Sequence, residues 1–388
     1  MVHWSKMTKM HFGTYSVTRY LSMAGSFLIT LLMIKEFEVE EFVTFQTALS
    51  CFVILYWVID LGTIDLIILS KNDNSLITKY SSGRTIRYYL VTGSTCLILY
   101  FAWNPLLAMV VLAVSLDYFN DSMTAYRTVR TSLRYFALTL IIRKIIPLLY
   151  LVYTSTFKLD NIFSSFLFVT IISNLPWVII DTLRLPFSWR EIFYSDKNSK
   201  MNTLQQGGNF LLNLDVPLLN LLGFSSIIPP FVLGKRLLQA GSIFGQFQIP
   251  MILDSDFESE KIVNIRIRIA KNYIFTLIFS LVTCFICEII SRATNFLQFS
   301  LGDRALLYGC LVISSLGVVA TQQNALLKAL QRFDTLSYAT FFSTFAYLFT
   351  IIILLPLVGV RWYFLIALLI NFSVELAVQE TALKSRVL

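Results

Sequence analysis

Largely apolar stretches, most of them close to the 20 or so residues an α-helix needs to cross a bilayer, recur along the whole chain. They lie at Tyr15–Ile34, Phe42–Leu61, Tyr88–Ala102, Pro105–Ala125, Tyr135–Tyr153, Ile162–Asp181, Gln206–Gly223, Pro229–Ile252, Ile269–Ile290, Ala305–Leu326, Tyr338–Leu357 and Trp362–Val378. In lipid, a segment of this kind must satisfy every N–H and C=O within itself, which makes it a helix. Composition argues against burying the same stretches in a water-soluble core. Apolar residues make up 56% of the chain and charged residues 14%, against roughly 25% charged in a soluble domain. A soluble fold would lack the polar surface to cover itself. The expected fold class is all-α: a polytopic membrane protein of about 12 transmembrane helices.

Basic residues set the orientation. Alternate loops carry Lys71, Lys79, Arg84 and Arg87; Arg127, Arg130 and Arg134; Arg184, Arg190, Lys197 and Lys200; Lys261, Arg266, Arg268 and Lys271; and Lys328 with Arg332. The intervening loops hold at most two basic residues each. The positive-inside rule places the rich set in the cytoplasm. Lys6, Lys9, Lys384 and Arg386 put both termini there too, which requires an even number of spans. The formal net charge of +8 is then mostly topogenic, and no nucleic-acid partner is implied. The longest polar stretch, Arg184–Gln205, separates two groups of six spans: bundles at 1–190 and 205–388, with a cytoplasmic linker at 191–204. Two even halves predict a parallel repeat about a pseudo-two-fold axis along the membrane normal. The first apolar stretch lacks a small-residue cleavage site and reads as a retained span. All five cysteines fall in apolar runs, and the pair Cys284 and Cys287 has no second pair beside it. Small buried hydrophobes are expected there rather than a metal site.

Polar residues inside spans are costly, so their pattern is informative. Helix-face spacing groups Arg19, Ser22, Ser26 and Thr30 in the first span and Gln46, Ser50, Trp57 and Asp60 in the second. It groups Asn209, Asn213 and Asn220 in the seventh, and Lys235, Gln239, Ser242 and Gln246 in the eighth. These are the first two spans of each half. Interhelical hydrogen bonding accounts for an isolated Ser or Thr. An ammonium at Lys235 needs water, an anion or a carboxylate, whereas Arg19 lies where it can snorkel to headgroups. Arg143 and Lys144 fall mid-way along the fifth span, too deep for snorkelling, and Arg236 adjoins Lys235. Asp215 lies mid-span on nearly the opposite face from the Asn stripe: either it pairs with a neighbouring helix or it faces a cavity. Asp117, Asp121, Asp181, Glu288 and Glu375 are expected nearer the membrane edges, with Glu375 a proton or cation site. The deep charges lean basic, which suits an anion held by charge-assisted hydrogen bonds.

Certain segments resemble a known family. They are Phe27-Leu-Ile-Thr-Leu-Leu-Met, Glu41-Phe-Val-Thr-Phe-Gln-Thr-Ala-Leu-Ser and Ile59-Asp-Leu-Gly62, then Asn213-Leu-Asp-Val-Pro-Leu-Leu-Asn-Leu-Leu-Gly223 and Phe231-Val-Leu-Gly-Lys-Arg-Leu-Leu238. In them the chain resembles the polysaccharide transporters of the multidrug/oligosaccharidyl-lipid/polysaccharide exporter superfamily, in particular Wzx-type flippases of lipid-linked O-antigen or capsule repeat units. Pro229-Pro230 stands where the family's turn is usually richer in glycine. The resemblance implies alternating access by two bundles in the bacterial inner membrane, with undecaprenyl-diphosphate-linked oligosaccharide as substrate and no enzymatic step. It implies a binding site drawn from Arg19, Gln46, Asp60, Arg143, Asn209, Asn213, Lys235, Arg236 and Gln239, the cations attracting diphosphate and the amides contacting sugar. It implies no metal or cofactor, and a proton or sodium gradient as driving force, with Asp215, Asp60 or Glu375 titrating. Implied partners are membrane lipids and a polysaccharide polymerase and chain-length regulator. The rival readings are an enzyme of the same pathway, which usually needs a larger extramembrane loop, and a drug or cation antiporter of the same superfamily, which should have a carboxylate-rich cavity.

Overall fold

The structure, a computed structural model, describes residues 21–384 apart from 23, 64–65, 68–72, 103, 124–125, 128–130, 158–160, 186–188, 193–202, 204–210, 247–258, 295–299, 331 and 355–359. Among the described residues all regular secondary structure is helical. The chain divides into two units, Met1–Thr203 and Leu204–Leu388. The first contains α1 (24–36), α2 (Val39–Asp60), α3 (Asn74–Ala102), α4 (Pro105–Ser122), α5 (Leu133–Phe157) and α6 (Ile162–Leu183). The second contains α7 (Asp215–Leu221), α8 (Ile228–Gln246), α9 (Ser259–Thr294), α10 (Leu301–Ala329), α11 (Phe333–Leu354) and α12 (Val360–Lys384). Among the described residues, seven of these (α2, α5, α6 and α9–α12) are long and apolar enough to cross a membrane. The protein is an all-α, multi-pass membrane protein.

The burial pattern fits lipid as solvent. On α5, Leu138, Ile145, Ile146, Leu149 and Val152 are exposed, while Arg143 is fully buried and Lys144 nearly so. On α11, Phe341, Phe345 and Phe349 stack along one exposed face, with successive ring centroids 6.5 and 6.4 Å apart. In water such faces would cost about 25 cal/mol per Å²; against acyl chains they cost nothing comparable.

Local chemistry ends the helices where the sites need them. Glu41 accepts from the Glu38 N–H at 3.2 Å and starts α2. Its other end turns left-handed through Leu61 (φ 45°) and Gly62 (φ 72°), and the Leu61 N–H returns to the Trp57 carbonyl at 3.0 Å. That is the Asp-Leu-Gly of the sequence motif, and Gly62 meets its φ without steric penalty. Asn104 accepts from the Leu106 N–H at 2.8 Å, and Pro105 occupies the first position of α4, where a missing N–H costs nothing. In the second unit close backbone approach depends on small residues. A Cβ on Gly309 of α10 would come within 2.6 Å of the Leu365 side chain of α12.

Four expectations need correction. Helix α3 begins at Asn74, well before Tyr88, so the stretch read as a basic loop is helical and buries Arg84 and Arg87. Arg84 lies beside the Asp60 carboxylate and Arg87 donates to the carbonyls that end α2, all within the same unit. Helix α9 likewise begins at Ser259 rather than near Ile269. The seventh span is not one α-helix: a 3-10 turn at Leu212–Leu214 precedes α7. Pro217 has no N–H to offer the Asn213 carbonyl, and it is tolerated because it falls in the first turn of a new helix. Asn213 and Asn220 therefore do not lie on one regular α-helical face, and Asn209, like Arg19, lies outside the described residues. Pro229 and Pro230 sit in the first turn of α8 for the same reason. Finally, Cys51 is exposed rather than buried.

Candidate functional site

In the second unit the charges of α7 and α8 meet. The Lys235 ammonium lies 2.8 and 3.0 Å from the two carboxylate oxygens of Asp215. The Tyr347 hydroxyl of α11 donates to the same carboxylate at 3.0 Å, and the Val216 N–H does so at 2.7 Å. Asp215 thus pairs with a neighbouring helix, the first of the two alternatives its sequence position allowed. The pair is graded in depth: the Asp215 side chain is 1% exposed and that of Lys235 21%. The ammonium is the member a ligand can reach. One residue on, Arg236 donates to the Gln239 amide oxygen at 3.2 Å, and Gln239 is exposed. Asn213 is half-buried in the 3-10 turn.

In the first unit α5 meets α4. Lys144 lies 2.6 and 2.7 Å from the two carboxylate oxygens of Asp117. Arg143 pairs with Asp121 and donates to the Asp117 carbonyl at 3.0 Å. Asp117 and Asp121 are one turn apart and share a helix face; their side chains are 31% and 41% exposed. Helix α1 packs close by, because a Cβ on Gly25 would lie 3.3 Å from the Lys144 Cβ.

Asp60 and Gln46, both on α2, are buried. Asp60 belongs to a polar knot at the end of that helix. Thr63 donates to its carboxylate at 3.0 Å, and Arg84 lies 3.8 Å away. Arg87 donates to the carbonyls of Ile59 at 2.7 Å and Asp60 at 3.3 Å, and also to that of Ile192. A cation at a helix C-terminus stabilises the exposed carbonyls, so this knot reads as a structural clasp. A second clasp joins Arg127 to Asp181 at 2.7 Å and to the Asn120 side chain at 2.6 Å, with Tyr135 donating to Asp181 at 3.0 Å.

Glu375 of α12 is held differently. It is buried, and it accepts from the Asn324 amide at 2.9 Å and the Gln379 amide at 3.1 Å. Gln379 also donates to the Asn324 oxygen at 2.7 Å. These are neutral donors. Asp181 is fully buried as well.

No protein-family profile and no curated protein sequence matches the chain. Solved structures do. An outward-facing MATE multidrug resistance transporter of the MOP superfamily is 12% identical and superposes with a TM-score of 0.63 over 97% of this chain and 95% of that one. The lipid II flippase MurJ, in an inward-closed conformation, is 14% identical with a TM-score of 0.64 over 94% and 86%. The MATE multidrug transporter DinF-BH, in complex with a ligand, is 13% identical with a TM-score of 0.67 over 96% and 94%. The chain has the fold of these transporters. Within this transporter fold, Lys235 with Asp215 and Arg143 with Lys144 are brought together with their partners inside their own units. Asp60 and Gln46 are built into the interior of the first unit. The sequence reading missed Tyr347, Asn324 and Gln379, for which no signal distinguishes one intramembrane hydroxyl or amide from another. It did not anticipate that Asp117 and Asp121 pair with Lys144 and Arg143, although their four-residue spacing opposite two adjacent cations was a usable signal.

Proposed function

We propose that the protein is a transporter of the multidrug/oligosaccharidyl-lipid/polysaccharide exporter superfamily that flips an anionic, lipid-linked oligosaccharide, as Wzx-type flippases do. The observation that carries this reading is the chemistry of α8. Lys235 is the outer, reachable member of a pair whose carboxylate is buried beneath it. Arg236 and Gln239 follow on the same helix, with Gln239 exposed. An ammonium, a guanidinium and an amide in succession suit a diphosphate followed by sugar hydroxyls. In the first unit the order is reversed: Arg143 and Lys144 are the buried members of their pairs, so the accessible cations of the proposed site are those of α8. Glu375, held by amides alone, is the group proposed to load and release a proton as the cycle turns. The membrane proposed is the bacterial inner membrane, with both termini cytoplasmic.

The test is genetic and biochemical together. Deleting the gene should trap lipid-linked repeat units on the inner leaflet and remove the surface polysaccharide. Normal surface polysaccharide in the deletion strain would sink the reading. A second reading, a drug or cation antiporter, is favoured by Asp117 and Asp121, whose half-exposed carboxylates could take a cation in place of Arg143 and Lys144. Proteoliposomes separate the two: a flippase translocates a fluorescent undecaprenyl-diphosphate glycan, an antiporter extrudes a cationic dye.

A further inference from the structure

A cavity of about 540 Å³ opens in the second unit between α9, α10 and α12, apart from the Lys235 and Asp215 pair. Its walls include Leu316, Leu376 and Tyr273; its polar lining is Arg266, Glu380 and Gln323. Arg266 and Glu380 form an ion pair across it, with side chains 29% and 35% exposed. A guanidinium offers five N–H donors and a carboxylate about four acceptor positions, so a single pairing leaves both with capacity. Gln323 also lines the cavity, but its Oε1 is buried and presents no surface to a ligand. Arg266 and Glu380 lie at the ends of the apolar, membrane-length segments Ile265–Phe285 and Phe364–Thr381.

We propose that this cavity seats the headgroup of an aminophospholipid, with its phosphate on Arg266, its primary ammonium on Glu380, and its upper acyl carbons against Leu316 and Leu376. The donor count decides the class. One accessible cation beside one accessible carboxylate matches a zwitterion whose ammonium carries N–H bonds, such as phosphatidylethanolamine. Phosphatidylcholine offers methyl groups where the Glu380 carboxylate accepts hydrogen bonds, and a quaternary ammonium would call for an aromatic cage. Phosphatidylglycerol offers Glu380 no cation at all. The lipid is a bound regulator or cofactor of the fold rather than cargo, so the proposal stands independently of the transported substrate.

The test uses the full-length protein, purified and exposed to equimolar phosphatidylethanolamine, phosphatidylcholine and phosphatidylglycerol, with retained lipid counted by native mass spectrometry. Phosphatidylethanolamine should be retained about tenfold over the other two, the preference that one charge-assisted hydrogen bond supplies. Glu380→Gln should erase that preference, and Leu376→Trp, which fills the cavity and leaves the ion pair intact, should remove the tightly held copy. Equal retention of the three lipids by the unaltered protein overturns the proposal whether or not the variants fold. An unchanged preference in folded Glu380→Gln, or an unchanged lipid count in folded Leu376→Trp, overturns it as well.

Discussion

Lys235 has two duties that pull apart under mutation. It neutralises Asp215, and it is the member of the pair left within reach of a ligand. Removing one partner of a buried ion pair strands the other charge and costs about 3–5 kcal/mol, whereas replacing both by apolar residues is often close to neutral. Lys235→Met and Asp215→Leu should therefore each lower the melting temperature in detergent well below that of the double variant. The double variant should also be folded and inactive in flipping, because the ammonium is gone. Recovery of transport in the double variant would confine Lys235 to a structural role. Glu375 makes the complementary case. Its amide donors would hold a glutamine oxygen nearly as well, so Glu375→Gln should fold normally. It should retain exchange of labelled substrate at equilibrium and lose acceleration by an imposed proton gradient. Acceleration equal to that of the unaltered protein would remove Glu375 from coupling.

At the scale of elements, the helices depend on where backbones can approach. Gly309 faces Leu365 so closely that a side chain there must displace it. Overpacking of this kind costs about 1–3 kcal/mol. Gly309→Val should reduce thermal stability by that order, and Leu365→Ala in the same chain should restore much of it; a double variant less stable than both singles would refute the contact. The helices themselves were legible in the sequence because an apolar run of spanning length has one backbone solution in lipid. Their extensions past the apolar run were not. Arg84 and Arg87 look like loop arginines by composition, and only the carbonyl end of α2 packed against Arg87 reveals otherwise. The break before α7 was half-visible: Pro217 warned of it, but a proline alone does not say whether a helix bends or restarts.

For the molecule as a whole, topology is the most direct check. Asn198→Cys should react with a membrane-impermeant maleimide only after permeabilisation, and Lys158→Cys in intact cells. The reverse pattern would invert the assignment drawn from the basic loops. An orientation was readable from residue counts alone, and this labelling is its test. The candidate site was less legible, since partners such as Tyr347 for Asp215 lie 132 residues apart and only folding brings them together. Three of the four deep cations that stood out face carboxylates, Arg143, Lys144 and Lys235 opposite Asp121, Asp117 and Asp215, while Arg236 meets the neutral Gln239 amide. That matching has an electrical consequence. A lone charge carried across about 100 mV of membrane potential exchanges about 2.3 kcal/mol with the field, whereas a matched pair travelling together exchanges none. Displacing one of these three pairs as a unit is then electrically silent; under the proposed function, voltage would act on charges outside them, such as the cargo's phosphates and a proton on Glu375.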